Sequence, residues 1–71
     1  MASTKKKSRE QIERLMVLIR TAQDEADSLG ETAERNRLAA AFSALETYLR
    51  EGGRRPDAIE EYAYLLDGDE A

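Results

Sequence analysis

The stretch Ala26-Asp27-Ser28-Leu29-Gly30-Glu31-Thr32-Ala33-Glu34-Arg35-Asn36-Arg37-Leu38 decides the fold. Upstream of it, Ile12, Leu15, Ile19, Ala22, Ala26 and Leu29 recur at spacings of three and four, a seam that only a helix keeps on one face. If that helix ran on, the same line would carry Ala33, Asn36, Ala40, Ser43 and Thr47, a poor core. The apolar residues that follow are instead Leu38, Ala41, Phe42, Leu45, Tyr48 and Leu49, in a new phase. A phase break beside Gly30, a natural helix stop, is a turn, and a short turn returns the second helix antiparallel to the first.

Working outward, Ser8 followed by Gln11 is a capping-box pattern that starts the first helix. Leu18 widens its apolar stripe, and Glu10 with Arg14 forms an i,i+4 pair on the wet side. The second helix carries Glu31–Arg35 and Glu46–Arg50 at the same spacing, and Gly52-Gly53 closes it. Pro56 then suits a first helical turn, and Asp57 with Glu60 offers an N-cap. A third, short helix would bury Ile59, Tyr62, Ala63 and Leu66 and stop at Gly68. The reading is an all-α protein: a single domain over 8–66 with helices at about 8–28, 31–51 and 56–66. Residues 1–7 and 67–71 lack apolar content and are expected to be a disordered basic arm and a disordered acidic tail.

Size argues for a partner. At 71 residues the chain is near the lower limit of independent stability, and small domains usually add disulfides, a metal or a second subunit. There is no cysteine and no histidine, so association is the remaining device and a homodimeric helical bundle is expected. The cysteine-free composition points to the cytoplasm. Leu15 to Ile19, the longest apolar run, is too short for a signal core or a membrane span.

The same two absences weigh against catalysis, because they remove the usual general base and the strongest nucleophile. The serines sit at the terminus, a cap, a turn and an alanine-rich helix, with no base patterned beside them. The chain reads as a non-enzyme with no cofactor. The acids Asp24, Glu25, Asp27 and Glu31 do not match a calcium loop, so no metal site is assigned.

Charge is uneven beneath a net −4. Lys5, Lys6, Lys7 and Arg9 make a basic head, whereas Asp57, Glu60, Glu61, Asp67, Asp69 and Glu70 follow Arg55 without a base. An antiparallel hairpin would set the head beside Arg54 and Arg55, a combination able to neutralise phosphates. The acids opening the third helix rule it out as a conventional recognition helix. Residues the hairpin core does not need are Val17, roughly opposite the first seam, Met16, roughly 90° from its edge, and Tyr64, opposite Ile59 and Leu66.

The function expected from the sequence is therefore binding: a small regulatory, adaptor or inhibitor protein contacting a protein partner, itself included, through Met16, Val17, Glu60, Glu61 and Tyr64. The alternative is a nucleic-acid-associated regulator using Lys5, Lys6, Lys7, Arg9, Arg54 and Arg55. A further alternative is an acidic decoy that occupies a DNA-binding protein. No small-molecule substrate and no membrane partner is indicated.

Overall fold

A computed structural model describes residues 8–70, with side chains over 8–67. Four helical segments follow one another: α1 (Arg9–Ser28), α2 (Thr32–Glu51), α3 (Ala58–Glu61) and α4 (Tyr64–Glu70). No strand occurs among the described residues. The long helices form the antiparallel hairpin, α3 lies against α2, and α4 lies against α1.

The hairpin begins as its sequence dictates. The Gln11 N–H donates to the Ser8 hydroxyl at 3.1 Å, and the Ser8 N–H donates back to Gln11 Oε1 at 3.0 Å. At the other end of α1, Gly30 takes a φ of 77°. That lets the Glu31 N–H reach the Ala26 carbonyl at 2.9 Å and the Gly30 N–H reach that of Asp27 at 3.1 Å. These two bonds are the Schellman pattern, which satisfies the last carbonyls and reverses the chain. Arg35 then bonds Asp27 across the turn at 3.5 Å rather than Glu31 on its own helix.

The core draws on every segment. Ile12, Leu15, Ile19 and Ala26 of α1 meet Leu38, Ala41 and Leu45 of α2, and Ala58, Ile59, Tyr62 and Leu66 close over them. Leu29, expected on the seam, is 66% exposed although its N–H still bonds the Glu25 carbonyl at 3.0 Å; it stands at the turn end of the hairpin, just before the chain leaves the helical path at Gly30.

The single third helix expected from the sequence is two pieces. At Tyr62–Ala63 the bonding tightens to i→i+3, with Leu65 N–H on the Tyr62 carbonyl at 3.0 Å and Leu66 N–H on that of Ala63 at 2.9 Å. A straight helix lays one stripe on one neighbour, whereas this segment must pack Ile59 toward α2 and Leu66 toward α1. Asp57 makes no side-chain cap bond. Nor does Gly68 stop the chain, since α4 continues through it to Glu70. Glycine inside a helix costs only about 1 kcal/mol, and it ends one where it turns left-handed, as Gly30 does. The expected basic arm, residues 1–7, lies outside the described residues.

Candidate protein-interaction surfaces

The two edges of the hairpin differ. On the helical wheel of α2, Arg37, Ala41 and Tyr48 fall to one side of the core line, and Arg35, Phe42 and Leu49 to the other. The segment α3–α4 covers the first edge: Arg37 Nη2 donates to Glu61 Oε2 at 2.9 Å, and Pro56 shares a cleft with Ala44 and Tyr48. The second edge faces away. There the Arg20 guanidinium of α1 lies 6.0 Å from the centre of the Phe42 ring, which fixes Met16, Arg20, Phe42 and Leu49 on one side of the molecule. Met16, Phe42 and Leu49 pack against the core yet stay partly exposed, and Val17, one position outward, is 60% exposed.

Of the residues assigned to partner binding, Met16 therefore belongs half to its own core, and Val17 projects outward as expected. Tyr64 is also outward, at 61% exposed, although the helix that was to orient it is broken. Its ring approaches that of Tyr62, 6.3 Å between centroids at 36°. Glu60 and Glu61 are exposed but engaged, Glu60 with Arg55 at 3.0 Å and Glu61 with Arg37. The structure thus gathers Glu60, Glu61 and Tyr64 at the α3–α4 corner and leaves Met16 and Val17 in the middle of α1.

Tyr62 anchors that corner. Burial raises its phenol above the ordinary pKa, an effect opposed by Arg37 and reinforced by Glu61, Glu34 and Tyr64. The Arg37 guanidinium is raised in turn, first by Tyr62, then by its hydrogen bond to Glu61 and by the charges of Glu34 and Glu61.

The hairpin does set the start of α1 beside the end of α2, as the basic-end reading requires. Arg9 Nη1 donates to the Leu49 carbonyl at 3.1 Å, and a cleft of about 360 Å³ is lined by Arg9, Ile12, Tyr48, Leu49, Gly52 and Gly53. The arginines there are unequal. Arg9 pairs with Glu13 at 3.3 Å. Arg55 pairs with Glu60, keeps only 26% of its side chain exposed and leaves Nη1 buried without a partner. Arg54 is exposed and forms no ion pair among the described residues. Lys5, Lys6 and Lys7 lie outside the described residues.

Among the described residues no group of three His, Cys, Asp or Glu side chains could hold a metal ion, and no helix is long and apolar enough to cross a membrane. The sequence reading did not foresee Phe42 and Leu49 as part of an uncovered edge; only the position of α3 decides which edge stays open. No protein-family model, curated protein or solved structure matches this chain.

Proposed function

We propose that this chain is a small non-enzymatic regulatory, adaptor or inhibitor protein of the cytoplasm, acting through protein–protein contacts. One observation carries the reading. Val17 stands 60% exposed next to the partly buried Met16, on the side of α1 turned away from its buried seam, where no other described segment covers it. A branched apolar side chain exposed at mid-helix in a chain of 37% charged residues lies outside the core cluster, and beside the partly exposed Met16 it offers apolar surface to a partner. Tyr64 and the acids around it form a second contact surface, tyrosine being enriched among residues that dominate binding.

The test is photo-crosslinking in the host cell with a benzophenone amino acid at Val17 and at Tyr64, and at Glu25 on the wet face of α1 as a control. Discrete protein adducts from the first two positions and none from Glu25 are expected. Failure of both to yield adducts would overturn the reading.

A second reading rests on Arg54, a cation without an ion pair among the described residues, at the same end of the hairpin as Arg9. If this end binds nucleic acid, affinity for a generic duplex falls steeply with salt, and Arg54→Ala lowers the salt slope by about one. Absence of binding at low salt would remove it.

A further inference from the structure

We propose that the Arg54–Arg55 peptide bond is a cleavage site for a trypsin-class protease, one that cuts after arginine, and that the cut detaches α3–α4 from the hairpin. The proposal goes beyond the binding reading and stands whichever partner the hairpin meets. Sequence and structure together single out this one bond.

The lysines are Lys5, Lys6 and Lys7, so every candidate bond from residue 8 onward follows an arginine. Arg9, Arg14, Arg20, Arg35, Arg37 and Arg50 all lie inside α1 or α2. A protease takes its substrate as an extended strand and pairs with the backbone around the cut, whereas a helix holds those groups in its own ladder. Among the described residues only Arg54 and Arg55 stand between helices. Arg55 is followed by Pro56, which has no N–H and whose ring obstructs the position after the cut. One bond remains.

The structure shows that bond open to attack. Gly52, Gly53 and Arg54 are exposed, and Arg54 forms no ion pair among the described residues, so its guanidinium is free to enter the acidic pocket that selects arginine. The N–H groups of Gly53, Arg54 and Arg55 donate no hydrogen bond among the described residues. Gly52 and Gly53 have open space around them and can swing from positive φ to an extended path at no steric cost. Arg55 must turn out of its pairing with Glu60 at 3.0 Å, but that carboxylate is 70% exposed and such a pair holds weakly.

Water divides across the bond. Its oxygen joins the Arg54 carbonyl carbon, which becomes a carboxylate, and its two protons go to the Arg55 nitrogen, which leaves as an ammonium group. The cut separates the hairpin from the segment that covers its Arg37 and Tyr48 edge. Ile59, Tyr62, Leu66 and the Arg37–Glu61 bond at 2.9 Å then hold that segment without a tether. A short free segment loses the effective concentration of its link, roughly millimolar, and must order its own helices each time it binds. It leaves on dilution.

An arginine-specific protease added sparingly to the native full chain, with intact-mass detection, tests this. The first products should be residues 1–54 and 55–71, formed about tenfold or more faster than any fragment cut within α1 or α2. Arg54→Gln should abolish this early cut. Gel filtration of the nicked chain at low micromolar concentration should separate the two pieces. A first cut inside α1 or α2 overturns the proposal, as does an Arg54→Gln chain cleaved as fast as the wild type. Pieces that still travel together at low micromolar concentration overturn it as well.

Discussion

Tyr62 and Tyr64 stand two residues apart and have opposite roles. Tyr62 is buried in the core, so Tyr62→Ala empties a ring-sized space and should cost about 3 kcal/mol or more in chemical denaturation. Tyr64→Ala should leave the melting temperature nearly unchanged and weaken partner capture about tenfold. Tyr62 also supplies a pH signature. Burial raises its folded pKa above the ordinary value near 10. Below that value both states keep the proton and stability is undiminished. As pH climbs through 10 toward the folded pKa, the unfolded chain releases its proton first and stability falls. Tyr62→Phe should flatten this alkaline loss, measured as the denaturation midpoint against pH; an unchanged slope would place its origin elsewhere.

At the level of helices, the ends carry much of the specification. Ser8→Ala removes a reciprocal pair of cap bonds and should cost about 1 kcal/mol by denaturant titration. Gly52 adopts φ 78° and ψ −141° with open space where a Cβ would point. Gly52→Ala should therefore destabilise by about 1–3 kcal/mol from backbone conformation alone, without any clash. The hairpin was legible in the sequence because the break in apolar phase and the glycine beside it are both local signals. So was the outward direction of Val17, which helical geometry sets against the seam. The corner at Tyr62–Ala63 was not, because Ile59, Tyr62 and Leu66 keep a helical spacing that a straight helix would satisfy equally. What bends the chain is the pair of separate helices it must touch, and that is a tertiary fact. The same holds for Arg35, whose i,i+4 acid loses to Asp27 once the turn brings Asp27 within 3.5 Å. It holds too for Phe42 and Leu49, whose place on an open edge depends on where α3 comes to rest.

In the whole molecule, the core is shared unequally. Leu15, Ile19, Leu45 and Ile59 are its fully enclosed large side chains, three of them on the hairpin and one on α3. If two copies join through Val17, the homodimer expected from the sequence, folding and association are linked, and the melting temperature rises with protein concentration. Scans over a hundredfold dilution should show that rise for the wild type and a flat response for Val17→Glu. The joint at Gly52 and Gly53, both at positive φ with empty space around them, also sets a clock. The backbone hydrogen bonds at the ends of α1 and α2 close within the hairpin, whereas α3 and α4 hold on to it through side chains, Ile59, Tyr62, Leu66 and the Arg37–Glu61 bond among them. The two regions will open at different rates, α3–α4 lifting as a unit while the hairpin stays closed. Amide hydrogen exchange should then separate into a slow set over α1 and α2 and a faster set over residues 58–66, and the faster rate counts how often Tyr48 and its edge of α2 are bared to water.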